Sequence, residues 1–366
     1  MSLSEIRKSR LYNQQIATSQ CKSAAEVVSW LVAMQAQEFR HAKWAIGLRL
    51  NTATEEDVDN AFNSGAILRT HLMRPTWHFV APEDIRWLLA LTAPRVHSGN
   101  APYYKKLELS KTLFTRCLNI ITRSLEGGKY LKRSEVQEIF KQKKINAEGM
   151  RLAYIMMHAE LEGLICSGPR IGKQFSYALL EERIPKAKSY SRDEALCMFL
   201  LRYFNSRGPA TLNDFAYWSG LTLKDARVGF EAIRTQLQKI IIDGKEYFTG
   251  NITVPKKLDG QDTFLMPDYD EYGMSYKDRS ALRAIHKEKM PQQHNWSVFG
   301  HYIVVEGTMQ GTWRDEVFND SIKVSSKFIT PLTGAAKRKV NNALKRYSSF
   351  FGKKLQHDVK TSDHDH

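Results

Sequence analysis

The chain has 366 residues, 42% of them apolar, and carries 54 Lys plus Arg against 39 Asp plus Glu for a formal charge of +15. That balance excludes a disordered or fibrous chain and points to an extended anionic partner, nucleic acid first. The scattered Cys21, Cys117, Cys166 and Cys197, the polar stretch 1–10 and the lack of an apolar run of ~20 residues argue against a disulfide scaffold, a thiolate metal knuckle and a membrane span, so the expected setting is the cytoplasm, beside the nucleoid.

Local signals repeat along the chain. Ser23 with Glu26 reads as a helix start ahead of Val27, Val28, Leu31 and Met34. Thr54 with Asp57 opens another helix, and 67–81 reads as a hairpin around Met73-Arg74-Pro75. Next, Ser134 with Gln137 caps a helix bearing Val136, Ile139 and Phe140. A longer helix follows over 148–161, ended by Gly163, and strands at 164–166 and 175–179 flank a basic, Gly-containing turn. This succession is that of a winged helix-turn-helix, with 148–161 in the recognition position and Arg170 and Lys173 on the wing.

The third occurrence opens with a helix through Ala195, Leu196, Phe199, Leu200 and Tyr203 that stops at Gly208-Pro209. Thr211 with Asp214 and Thr222 with Asp225 cap two more helices, and Asp243-Gly244 turns a short hairpin. After Thr253-Val254-Pro255 the pattern becomes strand-like, notably at 302–306 and 308–313 about Gly307. A helix over 334–351 then puts Val340, Leu344, Tyr347 and Phe351 on one face and Lys337, Arg338, Lys339, Lys345 and Arg346 off it. Residues 321–356 hold nine Lys or Arg and no Asp or Glu. The expected fold is α+β and helix-rich: three tandem winged helix-turn-helix units over 1–110, 111–188 and 189–254, a β-rich domain over 255–358 closed by the basic amphipathic helix, and a disordered tail over 359–366.

Phosphate-loop, dinucleotide-binding, zinc-protease and nucleophile-elbow motifs are all absent, and the eleven histidines are scattered, so neither a cofactor nor a metal is expected. More unusual is Met34-Gln35-Ala36-Gln37-Glu38. On a regular helix Gln35 would follow Leu31 on the apolar stripe, whereas Gln37 would point about 200° away. The two can serve one cavity only if the helix ends or distorts near Ala36. Otherwise Gln35 caps backbone and Gln37 is solvated.

That pentapeptide, Arg69-Thr70-His71-Leu72-Met73-Arg74-Pro75-Thr76-Trp77-His78-Phe79-Val80, Leu265-Met266-Pro267-Asp268-Tyr269-Asp270-Glu271-Tyr272, Tyr276-Lys277-Asp278-Arg279-Ser280 and Gly311-Thr312-Trp313-Arg314 are spread over nearly the whole chain. They resemble the AlkZ-type DNA glycosylases, winged-helix proteins that excise alkylated bases and unhook interstrand cross-links. The resemblance implies that Gln35 and Gln37 are the catalytic pair. Gln at position 37, where some relatives carry Asp, is similar to the cross-link-unhooking branch. A cationic N7-alkylpurine leaves easily, so carbonyls that hold a water and face the developing sugar cation would suffice, with no lysine nucleophile. Glu38 is the second-rank candidate, as the only carboxylate beside the motif, unless it pairs with Arg40 or Lys43.

The expected reaction is therefore that of a monofunctional glycosylase, a monomer acting on alkylated or cross-linked double-stranded DNA. Contacts to DNA are expected from Arg69, Arg74, His78, Arg170, Lys173, Lys337, Arg338, Lys339, Lys345 and Arg346. His71 and His78 can equally be hydrogen-bonded, half-buried residues, and Asp268, Asp270, Lys277, Asp278 and Arg279 read as an internal ion-pair cluster. The rival reading is a non-catalytic winged-helix DNA-binding protein, a regulator or architectural factor, which would select one operator and ignore lesions.

Overall fold

Helix starts are the features that local sequence sets most directly, because one side chain three residues from another satisfies the first free amides. In the computed structural model, which describes residues 2–186, 188–250, 262–282 and 300–360, Ser2 and Glu5 cap α1 (Leu3–Asn13) reciprocally. Ser23 Oγ accepts the Glu26 N–H and opens α2 (Ala24–Leu31). The helix stops there. Val32 takes φ +66°, and the chain continues as a strand, β1 (Ala33–Gln35), into α3 (Phe39–Gly47). The glutamines therefore do not sit at a helix end, as the spacing from Leu31 suggested. The Thr54/Asp57 box starts α4 (Glu55–Ser64), and β2 (Leu68–Leu72) and β3 (Thr76–Val80) form the expected hairpin before the long α5 (Ile85–Lys106). β1 adds to its open edge in the order β1-β3-β2, all antiparallel.

The second segment holds α6 (Lys111–Leu125), β4 (Leu131–Lys132), α7 (Arg133–Gln142), α8 (Gly149–Leu161), β5 (Ile165–Ser167) and β6 (Ser176–Leu179), with sheet order β4-β6-β5, then a short α9 (Leu180–Arg183). Here the cap differs from expectation: Lys132 and Glu135, not Ser134 and Gln137, start α7. In the third segment complete boxes begin α10 (Arg192–Arg207), α11 (Leu212–Ser219) and α12 (Leu223–Ile233). Asp243 and Gly244, both with positive φ, turn β7 (Gln238–Ile242) into β8 (Lys245–Thr249), as a tight two-residue hairpin requires.

The last segment builds a five-stranded sheet from β9 (Thr263–Met266), β10 (Tyr302–Val305), β11 (Thr308–Val317), β12 (Ser321–Phe328) and β13 (Lys354–Lys360), in the order β13-β12-β11-β10-β9. A short α13 (Glu271–Met274) follows β9, and α14 (Gly334–Phe350) precedes β13. β13 pairs parallel to β12 as far as Lys360, so the strand enters the stretch where a tail was expected. Residues 361–366, like the expected boundary at 254/255, lie outside the described residues.

The cores cut across the expected boundaries. Trp44, Phe62 and Phe79 share one core with Trp313, Leu344 and Tyr347, so the first segment and the terminal sheet bury one another. A second core joins the hairpin and α5 to α10, α11 and α12, while the second segment has its own. Each fully buried large apolar side chain contributes roughly 1.5–3 kcal/mol of transfer free energy. The hairpin is thus pinned from two sides. At its Met73-Arg74 turn, Gly220 (φ +72°) ends α11 so closely that an added Cβ would lie 2.9 Å from the Met73 carbonyl oxygen. Gly220→Ala is expected to cost about 1–3 kcal/mol through backbone strain and this clash, read as a lower urea midpoint with unchanged slope.

Candidate active site

The segment that carries the glutamines begins with strain. A β-branched residue at positive φ is an outlier that costs roughly 1–3 kcal/mol and persists only where its surroundings enforce it. Val32 is enforced by Arg207 at the C-terminus of α10, whose guanidinium donates to Leu31 O at 2.8 Å and Ala33 O at 2.9 Å, one on either side. Arg207 is fully buried and pairs with Glu271 Oε2 at 2.9 Å, an oxygen that also accepts from Trp218 Nε1 and Ser275 Oγ. The other oxygen, Oε1, accepts the backbone N–H of Gln35 at 2.9 Å. Burial pushes the Glu271 carboxyl up, but Arg207 and the Gln35 N–H outweigh it and hold the carboxyl below its ordinary value. One carboxylate therefore fixes both the turn at Val32 and the strand at Gln35.

Because the chain is extended rather than helical up to Gln35, the helical offset expected between Gln35 and Gln37 does not apply. Gln35 pairs in register with His78, and the pairing extends one step further through the Ala36 N–H to Trp77 O at 2.7 Å. Gln35 is 6% exposed, and its Oε1 accepts from Arg74 Nη2 at 3.1 Å. Gln37 is exposed, just past the strand, and its Oε1 takes the Trp77 N–H at 3.4 Å. Both carboxamides are anchored on the one hairpin, the first seated and the second at the surface.

Arg74, expected at a turn tip facing DNA, points inward instead. It donates to Trp218 O at 2.7 Å and Tyr217 O at 3.3 Å, where the end of α11 favours a cation. Arg69 is also buried, donates to Ala36 O at 2.9 Å and reaches Gln37 O at 3.5 Å. Its guanidinium stacks over Trp77 and Phe175, 4.2 and 4.7 Å from the ring centroids. Burial pulls Arg69 down to about 10 against the attraction of Glu160, which leaves it a cation at neutral pH. His78 is wholly buried with Nδ1 at 3.0 Å from Thr76 O, and burial together with Arg74 pushes it down to about 3, so it is neutral. These three are supports of the glutamine segment rather than exposed contacts.

Directly opposed residues of an antiparallel pair share a face, so Gln35, His78 and Thr70 form one row across the sheet. His78 Nε2 and Thr70 Oγ1 are buried without a hydrogen-bond partner among the described residues. On the opposite face, His71 packs at a tilt against Trp77 and pairs with Glu160 of α8. There a groove of about 520 Å³ is bounded by Arg69, Trp77, Arg133, Gln137, Glu160 and Phe175.

Glu38 is exposed, and its expected partners are engaged elsewhere, Arg40 with Asp315 and Lys43 with Glu55 and Asp59. Arg170 folds back over Phe39 and Phe175 with its N–H on Asn63, while Lys173 is exposed. On α14, Lys337, Arg338 and Lys345 are exposed, Lys339 is paired with Asp262 and Glu306, and Arg346 turns inward to the carbonyls of Leu48 and Leu50 at 2.8 Å. The expected internal cluster at 268–279 includes Asp270, which forms a buried two-pronged pair with Arg49. Sequence reasoning missed Arg207, Glu271 and Trp218 as organisers of the site. Their one local trace is an acidic pair, Asp270-Glu271, set between tyrosines.

A family model described as DNA glycosylase AlkZ-like matches residues 28–350, a span that includes both glutamines, the hairpin, the Arg207–Glu271 pair and α14. The chain is 24% identical over 315 residues to the interstrand DNA cross-link repair glycosylase of Streptomyces sahachiroi, which covers 80% of this chain and 82% of that relative. The fold matches the structure of Streptomyces sahachiroi DNA glycosylase AlkZ with a TM-score of 0.79 over 98% of this chain and 100% of the other, at 19% identity. The chain belongs to the AlkZ-like DNA glycosylase family.

Proposed function

We propose that the protein is a monofunctional DNA glycosylase that hydrolyses the N-glycosidic bond of cationic N7-alkylated purines in duplex DNA. In keeping with its Streptomyces relative, a cross-link repair glycosylase, its substrates include interstrand cross-links. The observation that carries this reading is the anchoring of Gln35 and Gln37 to a single hairpin by Arg74 and the Trp77 N–H. Each carbonyl keeps a second lone pair, with which it holds a water and faces positive charge developing on the sugar. Water oxygen bonds to C1′ as the C1′–N9 bond breaks, and its proton passes to solvent. The bond's electron pair neutralises the purine's ring charge, so no protonation of the leaving group is required. Glu38 is the alternative proton acceptor.

The recurring helix, helix, hairpin succession supports three winged-helix units as the scaffold. Lys173, Lys337, Arg338 and Lys345, all exposed, supply phosphate contacts to the duplex. The protein works as a monomer among nucleoid DNA. Among the described residues no helix is long and apolar enough to cross a membrane.

Release of free base from a duplex bearing an N7-methylguanine tests the assignment. Gln35→Ala and Gln37→Ala are each expected to slow single-turnover excision about 10²–10³-fold, and a fully active double variant would refute it. Because neutral amides do not titrate, the rate should stay level between about pH 6.5 and 8.5; a bell-shaped profile would reveal an ionising base instead. Replacing Lys337, Arg338 and Lys345 together with Ala should lower the slope of log affinity against log salt by about 0.9 for each DNA phosphate that is no longer neutralised, with little change between duplex sequences.

A further inference from the structure

We propose a divalent metal site with zinc-like donor chemistry, formed by His97 of α5, by His158 of α8 and by Glu162, which caps the end of α8, remote in role from the glutamine segment and independent of the glycosidic reading. One ligand atom from each residue lies within 4.8 Å of the other two. His158 and Glu162 are one helical turn apart, as the Glu162 N–H to His158 O bond at 2.9 Å shows, so both project from one face of α8 toward α5. Two imidazole nitrogens and one carboxylate form a donor set familiar from open zinc sites, with a fourth position left for water.

Orientation is the stronger argument. A metal-binding imidazole uses one nitrogen for the ion and fixes the other by hydrogen bonding. His97 Nδ1 lies 2.9 Å from Tyr104 Oη, leaving Nε2 turned toward Glu162 Oε1 at 3.1 Å. That Nε2 makes no well-formed hydrogen bond, and neither does His158 Nδ1, although both atoms are buried. The His158 ring is held flat against Phe114, with centroids 3.8 Å apart, and lies 4.8 Å from the His97 ring. A tetrahedral site with bonds of about 2.0–2.2 Å has ligand–ligand edges of roughly 3.3–3.6 Å, within reach of small side-chain rotations from this arrangement.

Protonation favours the ion. Burial draws His97 below the usual imidazole value against the pull of Glu162, and burial with the neighbouring His97 draws His158 down to about 4. Both rings therefore offer lone pairs at neutral pH without first releasing a proton. The Glu162 side chain is 49% exposed, beside a groove of about 380 Å³ that gives an ion access. The other His/Asp cluster, His41, His301 and Asp315, is different: the Arg40 guanidinium lies 3.0 Å from His41 Nε2 and also pairs with Asp315, so a cation there would meet an existing positive charge. An ion at His97, His158 and Glu162 would fasten α5 to α8, the helix whose Glu160 pairs with His71 of the hairpin.

Titration of the full chain with zinc against a chromophoric chelator tests the site, with His364→Ala and His366→Ala introduced throughout to silence the tail. One equivalent is expected to bind, with a tetrahedral-type visible spectrum when cobalt replaces zinc. Glu162→Gln, at a half-exposed position, should weaken binding at least about tenfold, and His158→Ala should abolish it. His301→Ala should keep it. No binding by the parent at micromolar zinc, or an undiminished equivalent in both His158→Ala and Glu162→Gln, would overturn the proposal.

Discussion

The interaction on which the site depends is the buried pair of Arg207 with Glu271. Its two partners come from the end of α10 and from α13, and together they hold three consecutive features of another segment: Leu31 O, Ala33 O and the Gln35 N–H. A buried ion pair is a weak source of net stability, since desolvation offsets most of the attraction. Removing one partner is another matter, because the survivor is left buried and unpaired at a cost of about 3–5 kcal/mol. The pair is therefore better understood as a device of placement. It imposes a backbone conformation that valine would not adopt alone, and so converts the end of a helix into the start of a strand.

That conversion makes the hairpin a platform. Once β1 lies on β3, Gln35, His78 and Thr70 fall in one row, and the Ala36 and Gln37 carbonyls come within reach of Arg69. Arg74 then links the row to the C-terminal end of α11, so the third segment supports a side chain of the first. Preorganised dipoles of this kind need no rearrangement when charge develops, which is where electrostatic catalysis gains most. Arg69 and Arg74 serve this arrangement by holding the Ala36 carbonyl and the Gln35 carboxamide.

What could be read from sequence follows the range of the interactions concerned. Helix caps at Ser23, Thr54, Thr211 and Thr222, and the Asp243-Gly244 turn, depend on residues a few positions apart, and such signals are explicit in the chain. β1 was illegible because its strand conformation depends on Arg207 and Glu271, more than 170 and 230 positions away. The requirement that the helix break was legible from the 200° offset; the place and manner of the break were not. Charge behaved similarly. Composition reports how many arginines there are, but Arg69, Arg74 and Arg346 find backbone carbonyls that only the folded chain brings near. The shared core of the first segment and the terminal sheet is the same lesson at larger scale, since periodicity marks a buried face without naming what covers it.

The clamp also bears on why the residue at position 35 carries an uncharged amide. Glu271 Oε1 already sits 2.9 Å from the backbone nitrogen of that residue, and the carboxyl is held ionised by Arg207. A second carboxylate grafted at position 35 would stand close to this negative charge and compete for Arg74, so it would either take up a proton or disturb the pairing beneath it. An uncharged carbonyl avoids both outcomes while still offering a lone pair and a directed dipole. On the proposed glycosylase reading, the same constraint suits a leaving group that departs unaided, as a purine that already carries a positive charge does.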